Sequence, residues 1–261
     1  MRGAICGDII GSSYEWHRTK DYNFKLFTKF SEFTDDTVCS IAIADAIVSG
    51  TPFDDKLQEW CRKYPDAGYG GRFRQWIVAE NPMPYGSYGN GSAMRVSPAG
   101  AVATSMDECL ELAEKSASVT HDHPEGVKGA QAVALAIFLS LEGKSKDFIK
   151  DELERRFQYD LSRDYDDIQK DYRFQVSCQK SVPEAIIAFL ISYDYESAIR
   201  RAIAYGGDAD TQAAIAGSIA GAFYGDIPEV ILKECNAKLP DEMKKVICNL
   251  DKAIEERYGR L

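Results

Sequence analysis

The sequence predicts an all-α fold. Three observations carry that expectation: apolar residues recur with helical spacing along most of the chain, no segment alternates with period two, and small residues repeat every four positions in two places. The first repeat is Gly3, Gly7 and Gly11; the second is Ala213, Gly217, Gly221 and Gly225. Residues four apart share one face of a helix. A glycine face costs roughly 1 kcal/mol per Gly relative to Ala, and close approach of another helix backbone is what offsets it.

The elements follow in order. Residues 34–49 carry apolar side chains at helical spacing and stop at Gly50, a residue suited to a left-handed helix end. Segments 127–142, 183–193, 195–204, 208–224, 227–238 and 241–257 read the same way, and 208–224 stops at Gly225. Pro183 is expected in the first turn of its helix, where its missing N–H is not needed. Segments 16–33, 63–72 and 80–98 are rich in Gly, Pro, Tyr and charge and are expected to be loops, where function concentrates. Residues 144–172 are highly charged and are expected to form a solvated helix and a connection. One domain over 1–261 is expected, because the acidic motifs on either side of that stretch need each other.

At 261 residues the chain is near the upper size for one hydrophobic core. With 45% hydrophobic and 28% charged residues, disordered and fibrous classes are excluded. Acidic residues outnumber basic ones 41 to 31, and a net charge of -10 repels phosphate backbones and anionic lipid. Nucleic acid and membrane surfaces are therefore not expected as partners. No stretch approaches the roughly 20 apolar residues of a membrane helix, and the N-terminal segment is too short and acidic for a secretory signal, its apolar run broken by Asp8. Seven cysteines, odd in number and without a Cys-x-x-Cys pair, argue against disulfides and structural zinc and for a reducing, cytoplasmic location.

Two short clusters stand out: Thr34-Asp35-Asp36-Thr37 and Gly206-Gly207-Asp208-Ala209-Asp210-Thr211. Each opens an expected helix. Capping accounts for one acid per helix. It does not readily account for paired acids, which repel unless a cation lies between them. Oxygen ligands of this kind suit magnesium, manganese or calcium, and four carboxylates with two hydroxyls suit two such ions. Glu15 follows the glycine-striped helix and is a candidate acid, base or ligand beside the plainer reading of a surface glutamate. The loop from Pro84 to Arg95 carries Gly86, Gly89 and Gly91 with Ser87 and Ser92, and precedes a short helix. Its N–H groups could cradle a phosphate, and Tyr85 or Tyr88 could stack on a base. Asp66 sits in a further Gly-rich turn, and His121 and His123 form a His-x-His pair with no third zinc ligand nearby.

Together, GDIIGSSYEW at 7–16, FTDDT at 33–37, PDAGYG at 65–70, GSYGNGSAMRVSP at 86–98, THDHPEGVKGA at 120–130 and GGDADTQAAIAGSIAGAFYG at 206–225 resemble the ADP-ribosylglycohydrolase family over nearly the whole chain. The resemblance implies a single-domain orthogonal helical bundle around a two-metal Mg2+ or Mn2+ centre. It implies hydrolysis of the bond joining ADP-ribose to an acceptor such as a protein side chain, with a modified nucleic acid as a substrate variant. It makes Thr34, Asp35, Asp36, Asp208, Asp210 and Thr211 the metal ligands, Ser87, Tyr88, Gly89, Asn90 and His121 the substrate contacts, and Glu15, Asp36 and Asp66 the candidates for proton transfer. The alternative is a non-catalytic ADP-ribose binder or a crystallin-like structural relative.

Overall fold

The computed structural model describes residues 1–258. The helices are α1 (Arg2–Glu15), α2 (Asp35–Ser49), α3 (Phe53–Lys63), α4 (Gly71–Val78), α5 (Gly91–Met94), α6 (Ser97–Val102), α7 (Met106–Ser118), α8 (Pro124–Leu141), α9 (Lys146–Phe157), α10 (Tyr165–Asp171), α11 (Cys178–Leu190), α12 (Tyr195–Ala204), α13 (Ala209–Tyr224), α14 (Glu229–Lys238) and α15 (Asp241–Tyr258). No strand occurs among the described residues, where the extended pairing is an isolated antiparallel bridge between Gly89 and Ser177.

The small-residue stripes pack against each other. A Cβ on Gly3 would run into the backbone of Gly217 and Gly221, one on Gly7 into Ala213 and Ala214, and one on Gly11 into Ala209 and Asp210. The order is antiparallel, so the end of α1 meets the start of α13. Helix α13 is the centre of the core, with every residue from 209 to 220 buried. It also packs on α8, α11 and α12. The Tyr195 hydroxyl donates to the Gly3 carbonyl at 2.7 Å and fixes α12 to the same crossing.

Helix ends obey local chemistry. Gly50 has φ 70° and its N–H donates to the Ala46 carbonyl, closing α2. Gly225 closes α13 in the same way, with φ 65°. The Ser105 hydroxyl accepts from Glu108 N at 3.2 Å to start α7. The seven cysteines are free, and six of them are buried. No helix is long and apolar enough to cross a membrane among the described residues.

Two expectations need correction. Pro183 lies inside α11, not in its first turn. The helix starts earlier because Cys178 is tied down, its N–H donating to the Tyr88 carbonyl at 2.9 Å. The carbonyl that Pro183 cannot serve is that of Gln179, an exposed residue. Residues 144–172 are not merely solvated. Ile149, Leu153 and Phe157 form a buried stripe on α9, and Tyr159, Leu161, Tyr165 and Tyr172 continue it. Dense charge on the outer face masked an apolar face of helical spacing. Helices α3 and α4, α7, and the short α5 and α6 stand where the sequence signalled loops or nothing definite.

The glycine crossing sets the first test. A methyl group on Gly7 would sit 2.5 Å from the Ala213 carbonyl carbon and 2.8 Å from Ala214 N, and backbone cannot move aside as a side chain can. Gly7→Ala is expected to lose about 3 kcal/mol of stability in urea unfolding. Gly50→Ala, in open space but at positive φ, is expected to lose only about 1 kcal/mol. Equal losses would mean that the α1–α13 approach is not tight.

Candidate active site

Three helix ends converge on one acidic pit. The crossing brings Glu15, the last residue of α1, to Asp208 and Asp210 at the start of α13. The start of α2 joins them through Asp8, a residue of α1. Asp8 accepts from Thr34 N at 2.9 Å, Thr34 Oγ1 at 2.7 Å and Thr37 N at 3.1 Å, and also from the Thr37 hydroxyl. A buried carboxylate from one helix thus caps another. The sequence offered one signal for it: an acid interrupting the apolar, glycine-striped run of α1.

This geometry separates capping from ligation. Helix α2 is capped by Asp8 and by the Thr34 hydroxyl, which accepts from Asp36 N at 3.3 Å. Asp35 and Asp36 are not needed for it. At α13 the N-cap Asp208 makes no side-chain cap hydrogen bond; its Oδ2 instead accepts from Asn90 Nδ2 at 2.7 Å. Asp36 Oδ2 accepts from Thr211 Oγ1 at 3.1 Å, while Asp36 Oδ1 is buried with no partner. Ligand oxygens of Asp8, Asp36 and Asp210 lie within 4.8 Å of one another, as do those of Glu15, Asp208 and Asp210. Asp210 belongs to both groups. An orphaned buried oxygen facing other carboxylates is what a divalent cation satisfies, and this donor set fits magnesium or manganese.

Burial and mutual repulsion favour the protonated form of the carboxyls in the pit. Burial, then the neighbouring carboxylates Asp8, Asp35 and Asp208, push Asp36 well above the usual carboxylate range. Burial and Asp208 do the same to Asp210. Burial and Asp8 raise Asp35 to about 8. Burial and Asp208 raise Glu15 to about 7. Burial raises Asp8 to about 6 against the pull of its hydrogen bonds.

A cavity of about 430 Å³ opens from the pit, lined by Ser87, Gly89, Asn90 and His121 among the expected substrate contacts. Tyr88 does not line it: the side chain is half exposed and its ring packs on His123 at 5.3 Å. Asp66 is exposed and lines a neighbouring depression instead. Loop 86–92 differs from its expected role. The amides of Gly86, Gly89 and Asn90 donate to Asp122 Oδ1, Ser87 Oγ and the Val176 carbonyl, so they are not free for phosphate. The Ser92 hydroxyl is buried on the Gly126 carbonyl at 2.7 Å. The glycines serve His121: a Cβ on Gly91 would lie 3.1 Å from His121 Nε2, and one on Gly89 3.6 Å from it. His121 Nδ1 pairs with Thr120 Oγ1 at 2.6 Å, and burial with the nearby Arg95 holds the ring neutral, its pKa well below the usual value. His123 Nδ1 instead accepts from Glu125 N and caps α8.

Tyr85, expected to stack on a base, lines the cavity, as do Arg72, Arg95 and Phe174, for which the sequence suggested no role. Arg95 is fully buried, donates to the Ser116 carbonyl and Thr120 Oγ1, and leaves its Nε without a partner. Phe174 comes from the segment after α10 and takes the Arg18 guanidinium over its ring at 4.6 Å. Nothing in local sequence distinguishes these residues, since only the fold brings them to the cleft.

The chain is similar to known proteins over nearly its whole length. A family model described as ADP-ribosylglycohydrolase matches residues 1–260. ADP-ribosylhydrolase ARH3 of Homo sapiens is 28% identical, covering 90% of this chain and 87% of that protein. The ADP-ribosyl-[dinitrogen reductase] glycohydrolase of Rhodospirillum rubrum is 25% identical, covering 94% and 92%. A solved structure titled ADP-ribosylglycohydrolase-related protein complex shares the fold, with a TM-score of 0.70 at 21% identity and 97% coverage of both chains.

The raised carboxylates make stability fall with pH. Each binds its proton more tightly folded than unfolded, so its contribution is full below the unfolded value near pH 4. It is lost as pH rises through about 7 for Glu15 and about 8 for Asp35. With divalent ions chelated, Tm is expected to drop between pH 6.5 and pH 8, and added Mg2+ to restore it at pH 8. A Tm that is flat or rises over that interval in the chelated protein would contradict the clustering.

Proposed function

The chain belongs to the ADP-ribosylglycohydrolase family, and on that premise we propose that it is a divalent-metal-dependent hydrolase cleaving the glycosidic bond between ADP-ribose and a protein acceptor. The observation that carries the metal dependence is the buried Asp36 Oδ1, without a partner among carboxylates that share Asp210. We assign two Mg2+ ions, with Mn2+ as a substitute, to Thr34, Asp35, Asp36, Asp208, Asp210 and Thr211, with Asp8 orienting the start of α2. When bound, such ions supply Lewis acidity at substrate oxygens and neutralise the pit.

The chain's own residues do the rest. Hydrolysis passes through an oxocarbenium-like transition state, which nearby carboxylates stabilise. Glu15 is half-buried, borders the cavity and lies beside Asp208 and Asp210, where a carboxyl can take a proton from water and return it. It is favoured for that role over Asp36, which is enclosed as a ligand, and over the exposed Asp66. Asn90 holds Asp208 in place. His121, neutral and buried beneath Gly89 and Gly91, shapes the loop and turns its Nε2 edge toward them. The anionic diphosphate is matched by the start of α4, where Gly70 and Gly71 leave open space and no side chain caps the helix, and by the adjacent Arg72. Tyr85 and Phe174 supply aromatic walls for the adenosine end. The union of α1, α2 and α13 in one pit supports reading the chain as one domain, and the reduced cysteines fit the cytoplasm.

Asp35→Ala and Asp210→Ala are expected to keep the fold, because each relieves like-charge repulsion. Each is expected to lower kcat/KM by about a thousandfold or more, the loss of several kcal/mol of charge stabilisation. The assay follows release of ADP-ribose from ADP-ribosylated protein with saturating Mg2+. Full activity in both variants would contradict metal-dependent hydrolysis. Tight ADP-ribose binding by a wild-type protein that releases nothing would favour a non-catalytic binder.

A further inference from the structure

Three buried side chains at the cavity wall form one chain of hydrogen bonds. Arg95 Nη2 donates to Thr120 Oγ1 at 2.8 Å and to the Ser116 carbonyl at 2.9 Å. Thr120 Oγ1 in turn lies 2.6 Å from His121 Nδ1. Arg95 is 1% exposed and Thr120 0%, so the hydroxyl is shut off from bulk water.

The direction of each bond follows from the chemistry of its members. A guanidinium donates and cannot accept. Thr120 Oγ1 therefore accepts from Arg95 and has one proton of its own to give. Among the described residues, its other partner is His121 Nδ1. If Nδ1 carried the ring proton, the hydroxyl proton would be buried without an acceptor, which costs free energy that native interiors avoid. Nδ1 thus accepts from the hydroxyl, and the single proton of the neutral ring sits on Nε2. Burial and the adjacent charge of Arg95 oppose a second proton.

Nε2 is on the opposite edge of the ring. A Cβ on Gly91 would lie 3.1 Å from it, so the glycine keeps that edge clear. No group among the described residues takes a hydrogen bond from Nε2, and His121 lines the cavity. We infer that Arg95 and Thr120 are positioning residues that fix the proton of His121 on Nε2, so that the cavity wall presents a neutral hydrogen-bond donor matched to an acceptor oxygen of the bound nucleotide. The identity of that nucleotide rests on the hydrolase reading above; the position of the proton does not.

Long-range proton–nitrogen correlation spectra of the Mg2+-loaded, histidine-labelled protein at pH 7 read the tautomer, with His121 identified by the signal lost in His121→Gln. The wild-type ring is expected in the neutral Nε2–H form. Thr120→Val keeps the shape of the side chain but removes the hydroxyl. It is expected to release the ring into a mixture of tautomers and to weaken ADP-ribose binding, measured by calorimetry, about tenfold, as loss of one hydrogen bond does. Thr120→Ser is expected to restore both. A merely structural role for Thr120 would leave the tautomer unmoved. An Nδ1–H or cationic ring in the wild type would overturn the inference, and that spectrum needs no variant to fold. A folded Thr120→Val protein whose tautomer or affinity matches the wild type's would also overturn it. Each of these results leaves the hydrolase reading standing. A wild-type protein that binds no ADP-ribose would overturn that reading and the donor role together.

Discussion

The backbone-to-backbone approach of α1 and α13 is the constraint on which the rest of the structure depends. Three glycines on α1 meet Gly217, Ala213 and Ala209 on α13 with no room for a methyl group. Because the helices run antiparallel, this contact fixes what meets at one end: Glu15 beside Asp208 and Asp210. The same helix carries Asp8, whose oxygens hold the start of α2. One tight crossing therefore sets the relative positions of three acidic elements far apart in sequence. The glycine faces are unfavourable for isolated helices; burial of α13 on all sides and the close packing of the crossing offset that.

The site built there is at odds with stability. Several carboxylates lie buried within reach of one another, and Asp36 Oδ1 has no partner at all. In water alone such a group holds protons that an ordinary surface carboxylate would release. On the metal-dependent reading proposed above, cations would resolve the conflict by replacing those protons, and with the start of α4 and Arg72 they would supply local positive charge where the overall field repels an anion.

Much of this was legible in the sequence. The all-α class, the ends at Gly50 and Gly225, the glycine stripes and both acidic clusters followed from spacing and residue type. Local signals failed where tertiary context overrode them. Pro183 stands inside a helix because Cys178 is anchored to Tyr88 across the fold. The buried stripe of α9 was hidden by the charges between its members. Gly89 and Gly91 looked like a phosphate cradle, yet they make room for His121 and their neighbours' amides are spent inside the protein. Asp8 was noticeable only as an interruption, and Arg72, Arg95 and Phe174 carry no local mark. Capping and ligation use the same residues at a helix start, and the pairing of acids tilted the sequence toward ligation; the hydrogen bonds of Asp8, Thr34 and Asp208 show which of these acids the helix caps do not use.

We propose that the pit exchanges its protons for two divalent ions. Calorimetric titration of Mn2+ into the chelator-treated protein at pH 7.5, repeated in two buffers of different ionisation enthalpy, measures ion stoichiometry and proton release together. Two ions are expected to bind per chain, with protons released on binding. Absence of binding, or binding without proton release, would contradict it.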